Sequence, residues 1–73
     1  MTPMMGLALT KVNVLRQLEP NGAILGVADL HRRLPGLTVE EIKDALRQLV
    51  AEGMVVVRFE STARGKRFYV PPT

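Results

Sequence analysis

The chain contains no cysteine and no tryptophan, a single tyrosine, two phenylalanines and one histidine. Without cysteine, no disulfide can staple a small fold and no thiolate can hold zinc. A lone histidine has no companions for a metal site, so His31 is read as a packing or surface residue. No run approaches the roughly 18 apolar residues of a helical membrane span. The amino terminus, Met1 to Gly6, has no basic segment ahead of its apolar stretch, so no secretory signal is expected. Gly22 and Gly26 lack the rest of either nucleotide-binding loop motif. Ser61 has no base at a readable spacing, and Asp29 and His31 do not complete a nucleophilic triad. Neither catalysis nor a cofactor or metal is expected, and the lack of cysteine agrees with a cytoplasmic setting.

What is present is a short, aliphatic, basic chain. Its 73 residues are expected to form one domain over 1–73. So short a chain buries only about 60% of the surface its unfolded form exposes, so its stability margin is thin. Apolar residues make up 47% and aromatics only 4%, which points to a core of Leu, Val, Ile and Met. Mean hydropathy is +0.11, high for a domain of this size. Net charge is +3, from 10 Lys and Arg against 7 Asp and Glu. Within residues 1–53, Lys11, Arg16, Arg32, Arg33, Lys43 and Arg47 balance Glu19, Asp29, Glu40, Glu41, Asp44 and Glu52. The whole excess therefore lies in residues 54–73, where Arg58, Arg64, Lys66 and Arg67 face only Glu60. A cationic segment of this kind leans towards an anionic partner.

The clearest element spans Thr38 to Glu52. Thr38-Val39-Glu40-Glu41 fits a capping box, and Leu37 and Ile42 are placed as a hydrophobic staple around it. Val39, Ile42, Leu46, Leu49 and Val50 follow helical spacing and predict a buried stripe. Gly53 then offers a left-handed stop, with Met54 placed to fold back on Leu49. Before it, Val27, Leu30 and Leu34 share a face and predict a shorter helix, ended by Pro35-Gly36. Further upstream, Leu7 to Glu19 carries Ala8, Val12, Leu15 and Leu18 at helical intervals. Thr2-Pro3 offers an earlier start for that helix, at a cost of about 1 kcal/mol for enclosing Gly6. Pro20-Asn21-Gly22 reads as a turn and Ala23-Ile24-Leu25 as a short strand. After Gly53 the period becomes two. Residues 54–60 and 66–70 are rich in β-branched and aromatic types and predict an antiparallel hairpin. Residues 61–65 join them, with Gly65 available for positive φ. The tail Pro71-Pro72-Thr73 leaves the second strand. The fold class is α+β: three helices, then a two-stranded antiparallel hairpin, with a short first strand at 23–25.

This order resembles the winged helix-turn-helix family over about Leu7 to Val70. The stretches that carry the resemblance are Ala28-Asp29-Leu30 to Leu34, Thr38-Val39-Glu40-Glu41-Ile42, and Leu46-Arg47-Gln48-Leu49-Val50-Ala51-Glu52-Gly53-Met54-Val55. The resemblance implies a non-catalytic binder of double-stranded DNA, a small transcriptional regulator. The 38–52 helix would enter the major groove and the 54–70 hairpin would act as a cationic wing. Carried onto this chain, the implied DNA contacts are Thr38, Lys43, Asp44 and Arg47 on that helix. The implied wing contacts are Arg64, Lys66 and Arg67, and Arg32 and Arg33 of the preceding helix would meet the backbone. Ser61 and Thr62 can add hydroxyl contacts to phosphate.

Winged helices also serve as protein-interaction modules, so an accessory subunit of a larger complex is the alternative. Glu40, Glu41 and Asp44 on the reading helix favour it, because they face a polyanion in the first reading. The crowd of Met1, Met4, Met5, Leu7 and Leu9 offers a surface for a homodimer, a frequent arrangement among small DNA readers.

Overall fold

The computed structural model of the chain describes residues 3–59 and 65–71, with side chains for all of these except 3–5 and 21. Its elements run α1 (Pro3–Leu18), a single 3-10 turn (Pro20–Gly22), α2 (Val27–Arg33), α3 (Val39–Ala51), β1 (Val56–Phe59) and β2 (Lys66–Tyr69). Three helices followed by a two-stranded antiparallel hairpin make an α+β arrangement with the layout of a winged helix.

α3 forms as its sequence signals require. Thr38 Oγ1 accepts from the Glu41 backbone N–H at 3.0 Å, and Glu41 Oε1 accepts from the Thr38 N–H at 2.8 Å. These reciprocal bonds satisfy two of the donors a helix start leaves open. At the other end Gly53 takes φ +77°. Its N–H reaches the Val50 carbonyl at 3.0 Å, and the Met54 N–H reaches the Leu49 carbonyl at 2.9 Å. That pair of bonds is a Schellman stop, and only a residue without Cβ adopts this φ cheaply. The chain then turns at once into the hairpin, with Val55 buried against the end of α3. Met54 stays half in water, so the apolar closure falls one residue later than its spacing implied.

Along α3, Ile42, Ala45, Leu46 and Leu49 are buried, Val50 is half-buried and Val39 is exposed. Val39 leaves the expected stripe because it is the first helical residue and lies at the edge of the core. α2 runs one residue shorter than expected, with Leu34 as its C-cap donating to the Leu30 carbonyl at 2.8 Å.

α1 departs furthest from its expected face. It begins at Pro3, the earlier of the two starts. Its buried positions are Thr10, Val14 and Leu18, with Leu7 and Leu15 partly covered, whereas Ala8 and Val12 are exposed. Apolar residues spread over more than half of this helix's circumference, sparing the side of Thr10, Asn13 and Gln17, so periodicity did not single out one face. Thr10 is tolerated inside because its hydroxyl donates back to the Gly6 carbonyl at 2.8 Å. Lys11 pairs with Glu52 at 2.5 Å and ties α1 to the far end of α3.

The hairpin register pairs Val56 with Tyr69, Val57 with Phe68, Arg58 with Arg67 and Phe59 with Lys66. Alternation sends Val57, Phe59, Lys66 and Phe68 to the face that meets the helices. The expected strand at 23–25 contracts to one bridge. Leu25 and Phe68 exchange N–H to carbonyl bonds of 3.0 and 2.8 Å on the edge of β2 away from β1. The turn at Pro20–Gly22 and the start of α2 at Val27 leave no room for a second pair. Among the described residues β1 starts at Val56, two residues later than expected, and β2 ends at Tyr69, one residue earlier. Glu60, expected at the end of the first strand, and residues 61–64 of the joining segment, with Ser61, Thr62 and Arg64, lie outside the described residues, as do Met1, Thr2 and residues 72–73. Gly65, just inside, has φ +74°. Among the described residues no helix is long and apolar enough to cross a membrane.

Candidate nucleic-acid interface

Between α3 and the inner face of the hairpin runs an open groove of about 340 Å3. Leu46, Val50, Val57 and Phe68 give it an apolar floor, while Lys43 and Arg47 from α3 and Lys66 from β2 stand along it. The groove exists because α3 packs by one stripe only. Lys43 and Arg47, one helical turn apart, flank that stripe on the hairpin side. Lys66 projects to the same side because it shares strand parity with the buried Phe68. Charges from distant parts of the sequence are thereby brought onto one concavity.

The cations differ in their commitments. Lys43 and Lys66 are exposed and have no carboxylate partner among the described residues. Arg47 donates to Asp44 Oδ1 at 2.6 Å across one turn, an exposed pair of little energetic weight that an incoming ligand can replace. Asp44 is thus placed on the outer face of α3, with its charge offset by Arg47. Thr38 sits at the start of α3 with its hydroxyl oxygen already accepting from Glu41, which leaves its proton to donate outward.

Arg67 has a different place from the one expected. Its guanidinium turns inward and donates to Asp29 Oδ2 at 2.6 Å, and the side chain is only 15% exposed. It faces Arg58 across the ladder, and the Asp29 carboxylate, shared with Arg32, offsets part of the repulsion between the two facing arginines. Arg67 therefore fastens the hairpin to α2 and is held further from solvent than Lys43 or Lys66. Asp29 is the centre of this fastening. Its Oδ2 also accepts from the Gly26 N–H at 3.1 Å, and its Oδ1 accepts from Arg32. The Gly26 N–H holds the Asp29 carboxyl below its ordinary value, with help from Arg67 and Arg32 and against the opposing effect of burial.

Arg32 remains mostly exposed despite that bond, and it borders a second depression along α2 that Lys66 also lines. Lys66 thus connects the α3 groove with the α2 surface. Arg33 is exposed on α2 but lines neither depression. Arg64 lies outside the described residues. His31 is exposed, and among the described residues no group of three His, Cys, Asp or Glu side chains is arranged to hold a metal.

Sequence reasoning passed over one side chain here. Phe59 lines the same groove and is 70% exposed, the most exposed large apolar residue described. Its place in the first hairpin strand was legible, but its exposure beside the groove was not.

No protein-family model, no curated protein and no solved structure matches the chain.

Proposed function

We propose that this protein is a non-catalytic DNA-binding protein, a small cytoplasmic transcriptional regulator. In this reading α3 enters the major groove and the hairpin serves as a cationic wing. The supporting observation is the convergence of Lys43 and Lys66, exposed and without carboxylate partners among the described residues, on one groove beside Arg47. Cations held apart from acids by the fold are free to displace the counterions condensed on a phosphate backbone. Arg47 can exchange Asp44 for a guanine edge, and the released Asp44 can accept from cytosine N4. Arg32 and Arg33 supply backbone contacts beyond the groove.

The test is a fluorescence-anisotropy titration on mixed-sequence duplex DNA at several salt concentrations. Affinity is expected to fall linearly on a log–log plot, and Lys43→Ala and Lys66→Ala are each expected to reduce the slope by about 1. Arg67→Ala should lower thermal stability instead. Absence of binding at low salt overturns the reading.

The outward face of α1 favours a second reading, in which the domain docks on protein. Leu9 is 64% and Val12 46% exposed, one turn apart. The only basic residue between them, Lys11, is already paired with Glu52. This apolar stripe ends at Arg16, exposed one turn beyond Val12, and can meet its own copy across a two-fold axis in the antiparallel sense that keeps the two Arg16 side chains apart, which would make a homodimer. A mass measurement on the wild type and on Leu9→Lys/Val12→Lys checks this: a dimer that the double variant converts to monomer supports it, and a wild-type monomer rules it out.

A further inference from the structure

We propose that the groove between α3 and the hairpin receives an unstacked nucleic-acid base, with Phe59 as its stacking platform. This rests on the DNA-binding reading above and specifies the form of DNA that the same site prefers.

Three observations carry it. Phe59 is 70% exposed although it lies in a strand beside a buried core. Folding left its ring in water while Phe68, of the same strand parity, is buried. The ring also stands beside positive charge. Phe59 pairs in register with Lys66, so the two Cβ atoms lie about 5 Å apart on the same face. Lys43 and Arg47 line the opposite side of the same groove, and among its described lining residues none is a carboxylate. Finally, the floor between these charges is aliphatic, formed by Leu46, Val50 and Val57.

The chemistry these features recognise is planar, apolar on its face and anionic at its margin. A nucleotide swung out of its stack has that form, with a base to lie on the ring and phosphates to meet the cations. A continuous duplex offers phosphates but keeps its base faces inside, so it leaves the aromatic ring and the aliphatic floor unused. The groove is therefore suited to a bulged, mismatched or kinked step, where extrusion of the base is cheap.

The experiment compares three fluorescein-labelled duplexes at one low salt concentration: fully paired, carrying one unpaired thymine, and carrying one abasic bulge. The abasic duplex has the same backbone distortion without the base. The thymine bulge is expected to bind about 5- to 100-fold more tightly than the abasic bulge. Phe59→Leu should abolish that difference, read as the ratio of the two bulge affinities, and Phe59→Tyr should retain it. Because Phe59 lies mostly in water, unchanged far-UV circular dichroism is expected for both variants. Equal binding of the two bulges, or a preference that survives Phe59→Leu, overturns base stacking and leaves the duplex-binding reading intact. No affinity for any of the three overturns both readings.

Discussion

Asp29 shows how much one side chain can organise in a chain this short. It closes the start of α2 through the Gly26 N–H, holds Arg32 on its own helix and anchors Arg67 of β2. Its carboxyl is held below the ordinary 3.8 first by the Gly26 bond and then by the two guanidinium groups. The unfolded chain therefore binds the proton more tightly than the folded one. Stability from Asp29 is fully present above its unfolded value and is lost as pH falls through the lower folded value. A series of urea melts from neutral pH down to about pH 2 should show this as a falling acid limb, and Asp29→Asn should flatten that limb while lowering the midpoint at pH 7. The Asp29–Arg67 pair was not legible beforehand, because no local rule links residues so far apart. The sequence showed Arg67 as one of four hairpin cations, and only the register and the approach of α2 distinguish it from Lys66.

At the scale of elements, legibility followed the number of independent signals that agreed. α3 carried a cap, a staple, a stripe and a glycine stop, and its limits came out as expected. α1 carried an apolar arc too broad to mark one face and one polar residue, Thr10, that is buried. Its face was decided by packing on α3 and by a hydroxyl bond back to Gly6, neither of which periodicity reports. Gly6 also marks a simple improvement. It lies inside α1 in ordinary helical geometry, and a Cβ there would meet no atom within 4 Å. Gly6→Ala is expected to stabilise the protein by about 0.5–1 kcal/mol, chiefly by restricting the unfolded chain, as a higher urea midpoint with unchanged slope would show. The short strand at 23–25 was half legible: apolar residues between two turn signals marked an extended segment, but the space left by its neighbours allows only the Leu25–Phe68 pair.

For the molecule as a whole, the partition of charge was readable in advance: a neutral helical body and a hairpin holding the entire excess of +3. The structure redistributes the use of that excess. Arg67 is spent on cohesion, while Lys66 joins Lys43 and Arg47 on a concavity that no single segment encodes. The aromatic residues are partitioned as sharply, since Phe59, Phe68 and Tyr69 all belong to β1 or β2 and none to a helix. This gives the protein two optically separate halves. With no tryptophan, ultraviolet emission comes from Tyr69 alone and watches the wing, whereas ellipticity at 222 nm watches the three helices. Superimposable melting curves from the two signals would show that the Asp29–Arg67 tie and the Leu25–Phe68 bridge make wing and helices unfold as one. An emission curve that breaks first would show a wing that detaches while the helices persist.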